Sequence, residues 1–114
     1  MVSDRYVPRR FAIDDQLFGK ERVIKWKSIE NLDDIEVGQW RAAQIQHHAA
    51  LAIRAALTRS ARYHSVADYA RAVDVSERRM AELLRGDIVM RLEDIATAER
   101  VLKIRFLLNA ETDR

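Results

Sequence analysis

"SVADYARAVDVSERRMAELLRG", residues 65–86, is the stretch that decides the fold. Ser65 and Ser76 each precede a short run with helical periodicity, and serine is a preferred N-cap residue. Asp74 separates the two runs, and aspartate tolerates the left-handed backbone that a sharp turn requires. Gly86 follows the second run, where a glycine commonly ends a helix, so "RGD" is interpreted as a helix stop. The stretch therefore predicts two short helices joined by a tight turn.

The residues between the caps indicate how the two helices meet. Helices that cross steeply need a small residue at their contact, and Ala70 occupies that position. Val75 follows the turn and is expected to enter the core, while Met80 is expected to anchor the second helix from beneath. A first helix over 66–73 and a second one ending near Leu84 form a helix-turn-helix unit.

Further helices are predicted on both sides of this unit. Upstream, an alanine-rich run beginning at Gln39 predicts a helix that starts between Val37 and Trp40 and ends between Arg59 and Ala61. Downstream, a last helix is predicted from about Leu92. The upstream helix carries one apolar stripe at a period near 3.6. This stripe consists of Ile45, Ala49, Ala52, Ile53, Ala56 and Leu57.

Residues 1–38 differ from residues 39–114 and are interpreted as an N-terminal extension to a helix-turn-helix domain. Within the extension, "ERVIKWKSIE" alternates locally and puts Ile24 and Trp26 on one face, which predicts a short strand. Such a strand must pair with another segment or another subunit. The expected fold is mainly α: a compact helical bundle with a central helix-turn-helix, leaving room for a short β-strand or hairpin in the N-terminal extension.

Composition narrows the class of protein. The chain of 114 residues has a net charge of +2 and no cysteine, which excludes disulfides and cysteine-bound zinc. No apolar run approaches the roughly 18 residues of a membrane span, and the N-terminus lacks the apolar region of a signal peptide. A cytoplasmic location without membrane association is therefore expected. Residues 40–114 carry thirteen basic and ten acidic side chains, and twelve of the thirteen are arginine, which suits phosphate and base-edge recognition.

Residue patterns typical of enzymes do not occur. His47 and His48 are adjacent on a predicted helix and point about 100° apart, so they cannot easily share a metal ion. Asp14–Asp15 and Asp33–Asp34 are interpreted as solvated turn residues. No nucleophile grouping and no glycine-rich phosphate loop is present. The sequence therefore predicts a protein that is not an enzyme and that needs no cofactor and no metal.

The helix-turn-helix stretch and the following "RLEDIATAERVLKI", residues 91–104, resemble the lambda-repressor/Cro-type (XRE-like) helix-turn-helix family. In that family a capping residue, an alanine, an apolar residue after the turn and an "(L/I)xxG" ending recur at these separations, and a further helix follows. The resemblance covers about residues 39–104. Two positions depart from it. Asp74 replaces the usual glycine, and Val66 replaces a common glutamine that braces the second helix and contacts phosphate.

What the resemblance implies is binding of double-stranded DNA, with the helix Ser76–Leu84 in the major groove and commonly a homodimer on a palindromic site. Arginine reads guanine O6 and N7, and glutamate can accept from cytosine N4. Carried over to this sequence, the side chains that face base edges or nearby phosphates are Ser76, Glu77, Arg78, Arg79 and Glu82. The candidates for phosphate contact alone are Arg62, Ser65 and Arg85.

The function expected is therefore that of a sequence-specific DNA-binding transcription regulator, a repressor acting as a homodimer. The alternative is a protein-interaction module on the same fold, such as an antitoxin or an assembly adaptor. A protein partner could bind the N-terminal extension or the apolar "IRFLL" segment, residues 104–108. The arginines near Pro8 belong either to a minor-groove arm or to a tail or dimer contact. These arginines are Arg5, Arg9 and Arg10.

Overall fold

Helix α1, Asp34–Arg59, is the longest helix and begins at a capping box. The computed structural model describes residues 6–105. The Asp33 carboxylate accepts the Glu36 N–H at 2.8 Å, and the Glu36 carboxylate accepts the Asp33 N–H at 3.0 Å. Because this reciprocal pair satisfies two N–H groups that the helix leaves free, α1 starts at Asp34. The predicted start between Val37 and Trp40 was wrong, whereas the predicted end at Arg59 is confirmed.

Helices α2, Val66–Ala72, and α3, Glu77–Arg85, form the helix-turn-helix at the predicted positions. Each begins at a serine whose hydroxyl accepts the N–H of the residue three positions later, at 3.1 Å for Ser65 and 3.0 Å for Ser76. Helix α3 ends at Gly86, which has φ 78° in the left-handed region. Both N-caps and the glycine stop are therefore confirmed.

The joint between α2 and α3 is buried. Asp74 has φ 61°, so the aspartate adopts the left-handed conformation that the turn requires. The next residue, Val75, donates its N–H to the Ala70 carbonyl at 2.9 Å and packs against the core. Ala70 is 1% exposed and Met80 is 5% exposed. The predicted roles of these residues in the joint are thus confirmed.

Helix α4, Leu92–Leu102, closes the bundle and begins at the predicted residue. It contributes Ile95 and Ala98 to the same core as α1, α2 and α3. The mainly α fold, a compact helical bundle around a helix-turn-helix, is thereby confirmed. Most of the predicted α1 stripe is buried in this core, together with neighbouring residues off the stripe. The buried residues of α1 are Ala43, Gln46, His47, Ala49, Ala50, Ile53, Ala56 and Leu57.

Gln46 joins α1 to the connection between α3 and α4. Its side-chain amide donates to the carbonyls of Leu83 and Ile88, each at 2.9 Å. Its carbonyl oxygen accepts the Met90 N–H at 2.9 Å. Gln46 is 4% exposed, and its bonds to Leu83 and Met90 are buried, while that to Ile88 is partly buried. One polar side chain therefore holds the end of the helix-turn-helix against the long helix.

The N-terminal extension pairs with itself in a single antiparallel bridge. Its described part contains two short 3₁₀ helices, Pro8–Phe11 and Asp15–Leu17. Ala12 and Trp26 form the bridge, with one backbone hydrogen bond on each side of it at 3.0 and 2.9 Å. The predicted strand is thus reduced to this bridge within residues 6–105, and its pairing partner lies in the same chain.

The extension also packs against the end of α3. Phe18 is 1% exposed, and its ring lies where a side chain at Gly86 would go. Gly19 has φ 73°, and a Cβ there would overlap the Leu84 carbonyl oxygen, so only glycine allows this approach. Arg9 donates its N–H to the Gly86 carbonyl at 3.0 Å. The division at residue 38 stays a prediction, although the two parts share this tight contact.

The ends of the chain carry two predicted elements that the structure covers only in part. Helix α4 ends at Leu102 and is capped by Lys103, which has φ 59°, and Ile104 then packs against the core. Residues 106–108 of the "IRFLL" segment and Arg5 of the predicted arm lie outside the described residues.

Candidate nucleic-acid interface

The outward face of α3 carries charged side chains above a buried apolar face. Glu77, Arg78 and Arg85 are exposed, and Glu82 is partly exposed. The opposite, apolar face is buried in the core. Only one rotation of the helix about its axis therefore keeps the apolar side chains inside and the charged side chains outside. Glu77, Arg78 and Glu82 thus lie on the outward face as predicted, whereas Arg79, predicted with them, is only partly exposed. The residues buried beneath them are Met80, Leu83 and Leu84.

Arg78 is the most accessible cation of this face. Its side chain is 88% exposed, and its Nε lies 3.6 Å from Glu82 Oε2, one turn further along α3. An exposed ion pair at this spacing contributes little to stability and exchanges readily with solvent. The guanidinium is consequently free to leave Glu82 for another acceptor.

Arg79 differs from Arg78 because its guanidinium lies against α4. Arg79 Nη2 is 3.4 Å from Asp94 Oδ2, and the two side chains are 33% and 15% exposed. The same carboxylate accepts the Arg91 N–H at 2.8 Å, at the start of α4. Arg79 therefore links α3 to α4. The sequence did not predict this pairing, although Asp94 stands in the first turn of a predicted helix.

The two serines predicted as contacts both act as helix caps. The Ser65 hydroxyl accepts the Asp68 N–H, and the Ser76 hydroxyl accepts the Arg79 N–H. Both serines are exposed. A hydroxyl that accepts one bond still has its hydrogen to donate. Each serine can therefore donate to an anion at the start of its helix.

Arg62 lies in the connection between α1 and α2. It is exposed, and its guanidinium carbon lies 5.8 Å from the centre of the Tyr63 ring. The backbone at this point is ordered by Ser60, whose hydroxyl accepts the Arg62 N–H at 2.9 Å. Within residues 6–105 the Arg62 side chain makes no ion pair, so its charge faces solvent.

Arg85 is at the other end of α3 and is tied to the N-terminal extension. Its Nη2 and Nε lie 2.8 and 2.9 Å from Asp87 Oδ2. The second oxygen of Asp87 lies 2.7 Å from Arg9 Nε, and Arg9 also approaches Asp15 at 3.4 Å. Arg9, predicted as part of an arm or a tail, is thus held against the end of α3. Among the site residues, Glu82 and Arg85 therefore lie in the second half of α3, and the others lie near the starts of α2 and α3.

His47 is a buried structural residue. Its Nδ1 accepts the Gly19 N–H at 2.8 Å, and the rings of Phe18 and Trp26 lie 5.3 and 5.4 Å away. Burial lowers the pKa of His47 below the ordinary 6.5, and the nearby His48 lowers the pKa further. His47 is therefore neutral at pH 7. Across residues 6–105, no three His, Cys, Asp or Glu side chains cluster as a metal ion would require.

In the part of the chain that the structure describes, no helix combines the length and the apolar character needed to cross a bilayer. Comparisons with family models, with curated proteins and with solved structures found no match to this chain. A function for the protein must consequently be argued from the geometry of α1–α4.

Proposed function

We propose that the protein is a cytoplasmic, sequence-specific DNA-binding transcription regulator of the lambda-repressor/Cro type, acting as a homodimeric repressor on double-stranded DNA. The single observation that carries the proposal is the outward face of α3, which presents an exposed arginine from a rigid, buried joint. Because the core holds α3 in place, the helix can enter the major groove without changing its position in the protein. Rigid support is what a base-reading side chain needs in order to discriminate.

The dimensions of α3 support this role. An α-helix with its side chains is about 10–12 Å across, which fits the major groove of about 12 Å, and the nine residues of α3 extend about 13 Å. Arg78 would read guanine through O6 and N7, and Glu82, one turn on, would accept from cytosine N4. Arg79 would act as a positioning residue, because its pairing with Asp94 holds α3 against α4.

The remaining site residues would contact the sugar-phosphate backbone. Ser65 and Ser76 have hydroxyl hydrogens to donate at the starts of α2 and α3, and Arg62 carries a charge that faces solvent. Arg85 would have to share its guanidinium between a phosphate and Asp87. Contacts of this kind set the register of the protein on DNA and carry no sequence information by themselves.

The test compares two arginines in a selection from random duplex DNA at fixed salt. Arg78→Ala is expected to relax the preference at one base pair of each half-site and to lower affinity by about 1–3 kcal/mol. Arg62→Ala is expected to weaken binding to all sequences alike and to lower the salt slope by about one. Arg41→Ala is the control, since Arg41 is exposed on α1 and bonds only to Gln44 in the described region. An unchanged preference in Arg78→Ala would remove α3 from base reading.

The homodimer has its own measurement. Light scattering at micromolar concentration should give twice the chain mass of 13.2 kDa. Two-fold symmetry of the selected sites should accompany the dimer, because a two-fold protein reads a palindrome. A strict monomer that binds one half-site tightly would contradict the dimer and leave DNA binding in place.

A second candidate function, protein binding, is favoured by an apolar surface away from α3. Ile35 and Leu92 are 73% and 74% exposed, and Val89 is 44% exposed. Leu92 and Val89 border a cavity of about 190 Å³ that Tyr6 and Ile45 also line. Contiguous exposed apolar surface often marks a protein contact. If no duplex binds in a salt-dependent manner while a co-encoded protein does, the protein is an interaction module instead.

A further inference from the structure

Arg54, on α1, carries a partly buried positive charge without a counter-charge. Its Nε is out of contact with solvent and has no hydrogen-bond partner within residues 6–105. In the same region no carboxylate lies within ion-pair distance of its guanidinium. Removing an unpaired charge from water is unfavourable unless another group compensates it. An anion beside Arg54 would therefore supply the counter-charge that residues 6–105 do not provide.

A second arginine increases this requirement. Burial lowers the pKa of Arg54, and the positive charge of Arg85 nearby lowers it further. Asp87 compensates Arg85 but is itself shared with Arg9. The charge of Arg54 thus remains uncompensated beside a like charge. A bound anion would relieve both the repulsion and the loss of solvation.

A cleft in front of Arg54 has the size and the lining to hold such an anion. It measures about 340 Å³ and lies between the second half of α1 and the start of α2. Thr58, His64 and Ser65 line it together with Arg54, and the apolar Leu57 and Val66 complete its walls. The Thr58 hydroxyl already donates to the Arg54 carbonyl at 3.0 Å, so the groups that can donate to a phosphate oxygen are the Ser65 hydroxyl, the His64 imidazole and the Arg54 guanidinium. None of the lining side chains is acidic, although the Asp68 carboxylate lies beside the cleft and accepts the His64 backbone N–H at 3.0 Å.

We infer that this cleft is a phosphodiester-binding site, in which Arg54 takes up the charge of one backbone phosphate of the DNA. The inference rests on the proposed function and deepens it, because it adds a contact from α1 to those expected from α2 and α3. Ser65, predicted as a phosphate contact, belongs to the same cleft. A phosphate held between α1 and α2 fixes the position of these two helices on the DNA backbone. Because α3 packs against them in the core, the same contact also fixes how far α3 lies from the groove.

The first arm of the test measures duplex affinity against salt concentration for Arg54→Met and for the charge-matched control Arg41→Met. Arg54→Met should lower the salt slope by about one and weaken every duplex by roughly tenfold, while Arg41→Met should match the wild type. If the wild type binds DNA and the slope of Arg54→Met is unchanged, the site is overturned although the proposed function stands.

The second arm does not need DNA. The Nε–H resonance of Arg54 is followed by NMR while inorganic phosphate replaces chloride at constant ionic strength. The resonance should shift with phosphate, and that of Arg41 should not. If the wild type binds no duplex, the proposed function fails, and this arm alone decides the site. A shift then supports a site for a free phosphate compound, and no shift overturns it.

A melting experiment separates this role from a structural one. Because Arg54→Met removes an uncompensated charge and keeps the apolar stem, the variant should melt in chloride buffer no lower than the wild type. Phosphate should raise the melting temperature of the wild type more than that of the variant. A variant that melts well below the wild type in chloride would show that the guanidinium has a partner inside the protein, and would contradict the inference.

Discussion

Replacing Gln46 with leucine tests how the helix-turn-helix is fixed to α1. The two side chains are similar in size, so the change removes hydrogen bonds and leaves the packing volume nearly constant. Gln46 bonds three backbone groups: the Leu83 carbonyl within α3, and the Ile88 carbonyl and the Met90 N–H in the connection after α3. An apolar side chain at this position would leave them without that partner in a dry environment.

The expected loss of unfolding free energy depends on how many of the three backbone groups keep another hydrogen-bond partner. The Leu83 carbonyl also accepts the Gly86 N–H at 3.3 Å, so it remains bonded. The Ile88 carbonyl and the Met90 N–H depend on Gln46. Each buried group left unpaired costs about 1–3 kcal/mol, which gives about 2–6 kcal/mol for Gln46→Leu. Since domains of this size are stable by about 5–15 kcal/mol, the variant should fold with much reduced stability.

Denaturant unfolding followed by circular dichroism measures this difference. Gln46→Leu should lower the midpoint with an unchanged slope m, since the surface exposed on unfolding is the same. Gln44→Leu is the matched control, because Gln44 lies on the same helix and bonds only the exposed Arg41 in the described region; it should change stability by less than about 0.5 kcal/mol. A Gln46→Leu variant within about 0.5 kcal/mol of the wild type would refute the role of Gln46.

Three further predictions concern the packing of the fold. Gly86→Ala should cost more than about 1 kcal/mol in a thermal melt, because φ is 78° and a Cβ would lie 2.7 Å from the Phe18 ring; equal stability would disprove this contact. Because burial lowers the pKa of His47 below 6.5, the folded protein takes up a proton less readily than the unfolded chain. Stability should therefore be full above about pH 6.5 and fall as the pH is lowered towards the folded-state pKa, and His47→Gln should lack this decrease. Ala70→Glu should bury a charge and abolish the cooperative unfolding transition; a melt like that of the wild type would show that the helix-turn-helix is misplaced.

Local signals made the helix-turn-helix predictable. Ser65 and Ser76 cap α2 and α3 through bonds to residues three positions away, and Gly86 ends α3 through its own backbone conformation. Asp74 likewise adopts its turn conformation for local reasons. These interactions join residues that are only a few positions apart in the chain, so the local sequence indicates them directly.

Contacts between distant segments were not predictable in the same way. Phe18 was not predicted as a core residue, because its neighbours in the fold, Gly86 and His47, are far from it in sequence. The predicted start of α1 is too late because Asp33 is interpreted from the sequence as a solvated turn residue, whereas its side chain forms the capping box with Glu36. Predicting that Arg79 points towards α4 requires knowing where α4 lies relative to α3, and periodicity alone does not give that information.

The central claim, that α3 reads bases in the major groove, is tested most directly by a double-mutant cycle between Arg78→Ala and 7-deazaguanine in the selected site. This base lacks the N7 acceptor that faces the major groove and keeps Watson–Crick pairing. One guanine in each half-site should couple to Arg78 by about 1 kcal/mol or more, so that its replacement weakens the wild type and leaves Arg78→Ala unaffected. Additive losses at every guanine of the site would contradict the claim.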